Sequence, residues 1–144
     1  MRNTLCTFGA GLLAGVALNT AIAQTTESSP VRRPGTVPVK QAPPGTARVH
    51  LLAADAQSAF VGLLEIDAGA QVPEHQDESE EFVYVLNGGG EITVDGQTHS
   101  VQSGDLVYMP ANATVSFVAS EDGPTQVLQI FAPATSAAKY NAWQ

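Results

Sequence analysis

Short segments of alternating apolar and polar residues, separated by turn-forming residues, fill the sequence after residue 46 and constrain its fold most strongly. Glycine, aspartate, asparagine and proline interrupt this region at intervals too short for long helices. Alternation is typical of strands, because successive side chains of a strand point to opposite faces. The candidate strands are residues 47–52, 59–66, 81–86, 91–95, 99–101, 106–109, 115–119 and 126–131. Short strands at this spacing predict an all-β sandwich or barrel.

The turns between these strands are marked by glycine. Asp95 and Gly96 lie between two alternating runs, which is the sequence pattern of a tight hairpin. The run Gly88–Gly90 and the pair Ser103 and Gly104 predict two further turns.

The first 23 residues have the pattern of a secretory signal peptide. Arg2 precedes an apolar, uncharged run over residues 5–18, and Ala21 and Ala23 form a small-residue cleavage site. We therefore expect cleavage after Ala23 and export to the periplasm or the extracellular medium, without stable membrane insertion afterwards. An uncleaved membrane anchor is the alternative, because the apolar run approaches membrane-spanning length. Cleavage would remove Cys6, the only cysteine, which excludes disulfides and thiol catalysis in the mature chain.

Residues 24–45 differ in composition from the segments on either side. They contain five of the nine prolines and almost no large apolar side chain. Such a segment buries too little surface to offset the entropy of ordering it, so we expect a flexible, disordered, proline-rich linker. The remaining residues, 46–144, have room for one packed domain.

The charge of the chain restricts its partners. The formal net charge is -8, and a field of this sign repels phosphate backbones. Nucleic acid is therefore excluded as an expected partner, and a small-molecule ligand or substrate is favoured.

One short acidic segment contains candidate metal ligands. If His75 begins an extended stretch, His75 and Asp77 point to the same face, because side chains of a strand alternate. A tight turn over residues 78–80 would bring Glu81 back on the adjacent strand. One imidazole and two carboxylates favour a fairly hard cation such as manganese or iron(II). The alternative is a solvated acidic loop with a surface histidine.

The same segment resembles the first motif of the cupins, which are small double-sheet β-barrels. That motif runs glycine, five residues, histidine, one residue, histidine, three or four residues, glutamate, six residues, glycine. Gly69, His75, Glu81 and Gly88 match this spacing, and Asp77 stands where the second histidine would be. The resemblance implies a jelly-roll barrel, also called a double-stranded β-helix, over residues 46–144.

The second cupin motif is matched only in part. Gly104 and Pro110 have its spacing, but the histidine that should follow is replaced by Ala113 or Val115, depending on the alignment. A typical cupin metal is held by three histidines and one glutamate. The resemblance therefore implies a degenerate divalent-metal site of His75, Asp77 and Glu81, for manganese or iron and less readily for nickel or zinc. A barrel without metal remains the alternative.

Three functions are consistent with this sequence. The first is a metal-dependent oxidoreductase of the dioxygenase kind, although no catalytic residue is assigned beyond the three ligands. The second is a metal-free module that binds a small molecule in a pocket, and the third is a structural or protein-interaction module. The predicted pocket residues are Val83, Val85, Tyr108, Val115 and Phe117.

The two other histidines are not expected to bind metal. His99 and Val101 are two positions apart, so on a strand they face the same side, and His99 is interpreted as a partly buried core residue. His50 is interpreted as a strand or dimer-edge residue. We also expect a homodimer, in which the first candidate strand, residues 47–52, covers an exposed sheet edge.

Overall fold

Two antiparallel sheets face each other in the computed structural model, which describes residues 30–144. The predicted signal peptide and the first residues of the predicted linker lie outside the described residues. The strands are β1 (Val39–Gln41), β2 (Ala47–Leu51), β3 (Phe60–Ile66), β4 (Gln71–Gln76), β5 (Glu80–Asn87), β6 (Gly89–Val94), β7 (Gln97–Gln102), β8 (Leu106–Met109), β9 (Thr114–Ala119) and β10 (Thr125–Ala132).

The strand order gives the double-sheet jelly-roll barrel that the motifs implied. One sheet has the order β1-β2-β3-β10-β5-β8 and the other has the order β4-β9-β6-β7. All the strands expected from alternation are present, and β1 and β4 are additional. Within residues 30–144 helix is confined to two 3-10 segments, Pro34–Thr36 and Ala134–Ala142, and none is long and apolar enough to cross a membrane.

The core lies between the two sheets because each inner strand turns alternate residues toward it. Strand β10 shows this most regularly, since Thr125, Val127, Gln129 and Phe131 are buried while their neighbours are partly exposed. Phe131 and Phe60 are almost fully buried and lie 5.9 Å apart between ring centroids. Tyr140, from the C-terminal 3-10 segment, packs on Phe60 at 5.5 Å. This segment therefore closes one end of the barrel.

Strand β1 differs from the expected linker. Residues 39–41 pair with β2, and the backbone N–H of Gln41 donates a 2.7 Å hydrogen bond to the carbonyl of Gln144. Lys40 adds a hydrogen bond from Nζ to the carbonyl of Trp143 at 3.3 Å. Backbone hydrogen bonds hold β1 in place, and burial of apolar side chains does not. Its composition therefore resembles that of a linker.

The position of β2 corrects the expected dimer contact. β2 lies between β1 and β3, so residues 47–51 present no free edge for a second chain. The edges of this sheet are β1 and β8.

The three consecutive glycines are only partly a turn. Gly88, with φ of +75°, forms the turn, whereas Gly89 and Gly90 are already residues of β6. A Cβ atom on Gly90 would lie 2.2 Å from the carbonyl oxygen of Val118. Gly90 is therefore required by the close approach of β9, not by chain reversal.

Candidate metal centre

The three predicted ligand side chains converge at one end of the barrel. The candidate donor atoms of His75, Asp77 and Glu81 lie within 4.8 Å of one another. They do not come from adjacent strands of one sheet, as the sequence suggested. His75 is on β4 of the four-stranded sheet and Glu81 is on β5 of the six-stranded sheet, with Asp77 in the connection between them. The site is thus built across the mouth of the barrel.

His75 is held with one ring nitrogen available to a cation. Its Nδ1 lies 2.9 Å from the carbonyl oxygen of Pro73. A carbonyl only accepts, so in the neutral imidazole Nδ1 carries the proton and Nε2 has the free lone pair. Nε2 lies 3.6 Å from Oδ2 of Asp77. A backbone hydrogen bond of this kind commonly orients a metal-binding imidazole.

A chain of hydrogen bonds orients the carboxylate of Glu81. The phenol of Tyr140 donates to Oε1 of Gln129, and Nε2 of Gln129 donates to Oε1 of Glu81. Glu81 is 6% exposed, and its burial raises the pKa of the carboxyl, against the opposing effects of Gln129 and Lys139. Burial also raises the pKa of Tyr140 far above its usual range. Tyr140 therefore remains protonated and can serve as the donor that fixes this chain.

Lys139 lies beside the candidate ligands, a position that the sequence did not indicate. Its Nζ lies 2.7 Å from Oδ2 of Asp77 and 4.6 Å from the centroid of the Phe131 ring. The C-terminal 3-10 segment brings it there, because Ser136 exchanges two hydrogen bonds with Ser79 at 3.0 and 3.2 Å. No local pattern in the sequence connects residue 139 with residue 77, which lies 62 positions earlier.

A cavity of about 570 Å³ is lined by His75 and Glu81, two of the three candidate ligands. Of the predicted pocket residues, Val83, Val85, Val115 and Phe117 line it. Tyr108 does not. It is 48% exposed and donates a 2.8 Å hydrogen bond to Glu80 on the outer surface.

Strand register explains the wrong assignment of Tyr108. Tyr108 pairs with Phe82 across β8 and β5, whereas Met109 pairs with Glu81. Paired residues share a face, so Met109 faces inward with Glu81 and Tyr108 faces outward. The sequence alone does not show this register.

Val115 marks the position of the missing histidine of the second motif. It lies opposite His75 in the pairing of β4 with β9 and lines the cavity. An imidazole at position 115 would stand beside His75, but valine contributes only apolar surface. The pairing shifts between Val72 and His75, and such an irregularity can redirect a side chain toward a site.

The other two histidines lie away from the site. His50 contacts Glu65 at 3.3 Å and the carbonyl of Pro34 at 3.0 Å, as expected for a strand residue. His99 pairs with Ile92 and is exposed, not partly buried, because β7 is an edge strand.

The donor set fits a hard divalent cation. One imidazole nitrogen and two carboxylates are ligands that manganese and iron(II) accept, and Pro73 and Gln129 supply the supporting hydrogen bonds to His75 and Glu81. Three protein ligands would leave coordination positions open toward the cavity. These residues can therefore hold such an ion and expose it to a small molecule.

Burial of Glu81 predicts a pH dependence of stability in the metal-free protein. A raised folded-state pKa means that the folded protein holds this proton more tightly than the unfolded chain does. The stabilisation that this proton gives the folded protein is fully present below pH 4.5, the pKa of the carboxyl in the unfolded chain. It is lost as pH rises through the folded-state pKa. We expect the wild type to lose more stability than Glu81→Gln between about pH 4 and pH 7.

Urea unfolding in the presence of a chelator, measured across this pH range, tests this expectation. Glu91→Gln removes a carboxyl from an exposed strand position and should behave as the wild type. If Glu81→Gln and the wild type have the same pH dependence, burial of Glu81 is not linked to folding.

Comparison with known proteins places the chain in a family. The family model described as a cupin domain matches residues 62–131. An uncharacterised protein of Streptomyces coelicolor is 36% identical over 77 residues, which cover 53% of this chain and 71% of that protein. The dimethylsulfoniopropionate lyase DddW of Ruegeria pomeroyi is 33% identical over 63 residues, 44% of this chain. The match spans only 41% of the length of that lyase.

Solved structures agree with the family model. An RmlC-like cupin from Shewanella frigidimarina has a TM-score of 0.67 at 18% identity, with coverage of 77% of this chain and 96% of that one. At this identity the likeness concerns the fold. Together with the double-sheet barrel and the motif residues at its mouth, these matches identify the chain as a member of the cupins.

Proposed function

We propose that this chain is a metal-dependent enzyme that binds manganese or iron(II) through His75, Asp77 and Glu81 and oxidises a small organic molecule, as a dioxygenase does. The observation that carries the proposal is the convergence of one imidazole and two carboxylates within 4.8 Å beside a cavity of about 570 Å³. When bound, such an ion supplies Lewis-acid polarisation and, if it is iron, redox chemistry. Nickel and zinc are less favoured, because only one imidazole is present.

The chain's own residues would prepare this site for catalysis. Pro73 keeps the proton of His75 on Nδ1, so that Nε2 is free to bind. Gln129 and Tyr140 hold the carboxylate of Glu81 in one orientation. The apolar wall of the cavity would exclude bulk water and strengthen electrostatic interactions with a substrate.

Elemental analysis of the protein, purified without chelator or added metal, tests the proposal. We expect close to one manganese or iron ion per chain. We also expect the protein to consume oxygen while it converts a substrate. Less than about a tenth of an ion per chain after incubation with excess manganese and iron(II) would contradict it. Because a relative is named as a lyase, elimination from dimethylsulfoniopropionate should be assayed alongside.

A metal-free binding protein is the second candidate function, favoured by one specific observation. Lys139 Nζ lies 2.7 Å from Asp77 Oδ2, so one of the proposed ligands already has a cationic partner. In this case small organic ligands would raise the thermal stability of the protein, whereas metals and chelators would not change it.

Export is a separate proposal that rests on the first 23 residues. Cleavage after Ala23 would leave a mature chain that begins at Gln24. N-terminal sequencing of the protein from its native host tests this. A chain that retains Arg2 would contradict it.

We further propose a homodimer that uses the outer face of β5 and β8. Tyr84, Leu86, Leu106 and Tyr108 are each more than two-fifths exposed on these strands, and β8 is a sheet edge. A second copy would cover this apolar surface. Light scattering should give a dimer for the wild type and a monomer for Leu106→Lys. A monomeric wild type would contradict the proposal.

A further inference from the structure

Lys139 is the one permanent cation among the described residues that line the cavity. Its ammonium contacts Asp77 at 2.7 Å and lies over the ring of Phe131. The side chain of Asp77 is only 13% exposed. A carboxylate with so little access to water is stabilised by a charged partner, and without a metal Lys139 is that partner.

Metal binding changes this balance of charge. If Asp77 and Glu81 coordinate a divalent ion, their two negative charges are matched by the ion. Among the described residues, the positive charge of Lys139 then has the ring of Phe131 beside it but no free carboxylate. The side chain of Lys139 is 31% exposed and lines a largely apolar cavity, so the loaded site would favour one additional negative charge near its ammonium.

The rest of the cavity determines the chemistry of a molecule that carries this charge. Its walls are mainly aliphatic and aromatic, and they include Leu64, Ile66, Val85, Val107, Met109 and Phe117. The polar residues at the ligand end are His75, Glu81, Gln129, Lys139 and Tyr140. An apolar body would bury its surface against these walls.

We propose that Lys139 is a specificity residue that is paired with Asp77 in the metal-free protein and binds the carboxylate of an apolar organic acid once a divalent metal occupies the site. This inference rests on the proposed function, because the metal must first take Asp77. A carboxylate can accept charge-assisted hydrogen bonds from the ammonium, whereas the corresponding neutral amide cannot pair with its charge. The loaded protein should therefore discriminate between an acid and its amide.

Calorimetric titration with matched acids and amides tests the inference. The probes are hexanoate, octanoate and benzoate, each compared with its amide, on protein whose manganese content has been measured separately. For at least one pair we expect the acid to bind roughly ten- to a hundredfold more tightly than the amide. In metal-free wild type and in manganese-loaded Lys139→Met, the affinities for the acid and for its amide should differ by no more than about threefold.

Control variants separate the charge of Lys139 from other effects. Arg33→Met removes one positive charge from an exposed position and should keep the preference. Lys139→Gln is a second neutral variant and should lose it as Lys139→Met does.

The outcomes distinguish this inference from the proposed function. If the wild type binds neither manganese nor iron(II), both are wrong. If it binds manganese but prefers no acid, or if Lys139→Met and Lys139→Gln retain the preference, only the role of Lys139 is wrong. The latter result would mean that the acid binds the metal and not the ammonium.

Discussion

Replacing His75 with alanine is expected to lower the affinity of the protein for manganese or iron(II) by at least about 100-fold, because it removes the only nitrogen ligand of the site. Loss of a supporting hydrogen bond alone typically costs about 10- to 100-fold in metal affinity, so loss of a direct ligand should cost at least as much. Equilibrium dialysis followed by elemental analysis measures the change directly.

His99→Ala is the matched control for this variant. His99 is exposed on β7 and lies on a different strand from the proposed ligands, so its loss should leave the metal affinity within about twofold of the wild type. Unchanged metal affinity in His75→Ala would show that the cation, if one binds, uses other residues. The proposed function would then have to be abandoned for this site.

The second large effect is expected for Gly90→Ala. This substitution should lower the free energy of unfolding by about 2–3 kcal/mol and the Tm by roughly 10 °C. The added Cβ would lie 2.2 Å from the carbonyl oxygen of Val118 and 2.7 Å from the ring of Phe117. One of these contacts is with backbone, which side-chain rotation cannot relieve, so β6 would have to move away from β9. Thermal unfolding monitored by circular dichroism measures the loss.

Gly123→Ala is the control for this variant. Nothing lies within 4 Å of a Cβ built at Gly123, so the substitution should change stability by less than about 1 kcal/mol. Equal Tm values for Gly90→Ala and Gly123→Ala would mean that the backbone of β9 leaves room for a Cβ atom at Gly90.

The local pattern of the sequence determined the class of fold and eight of the ten strands of the described residues, and it grouped the three proposed ligands. Alternation works for β10 and for the inner face of β5, because a residue buried between two sheets is followed by one that faces outward. The motif spacing identified His75 and Glu81, since both lie within a few residues of one chain reversal. These features depend on neighbours in the sequence, which is why they can be predicted from it.

Other features of the fold depended on strand register and on contacts between residues that are distant in the sequence. The outward position of Tyr108 follows from its pairing with Phe82, and strand β1 exists because β2 and Gln144 supply partners for its backbone. Gly89 and Gly90 looked like part of a turn, although β6 already begins there. Their function became apparent only from the distance to the neighbouring strands.

The clearest division lies within the site itself. The sequence by itself determined that His75, Asp77 and Glu81 are near one another, because a short connection joins them. Only the tertiary structure decided that Lys139, Gln129 and Tyr140 complete the surroundings of these ligands. Docking of the C-terminal segment on Ser79 and on the aromatic core brings Lys139 and Tyr140 to the ligands, and Gln129 reaches Glu81 from β10. Contacts between residues so far apart leave no periodic pattern in a sequence.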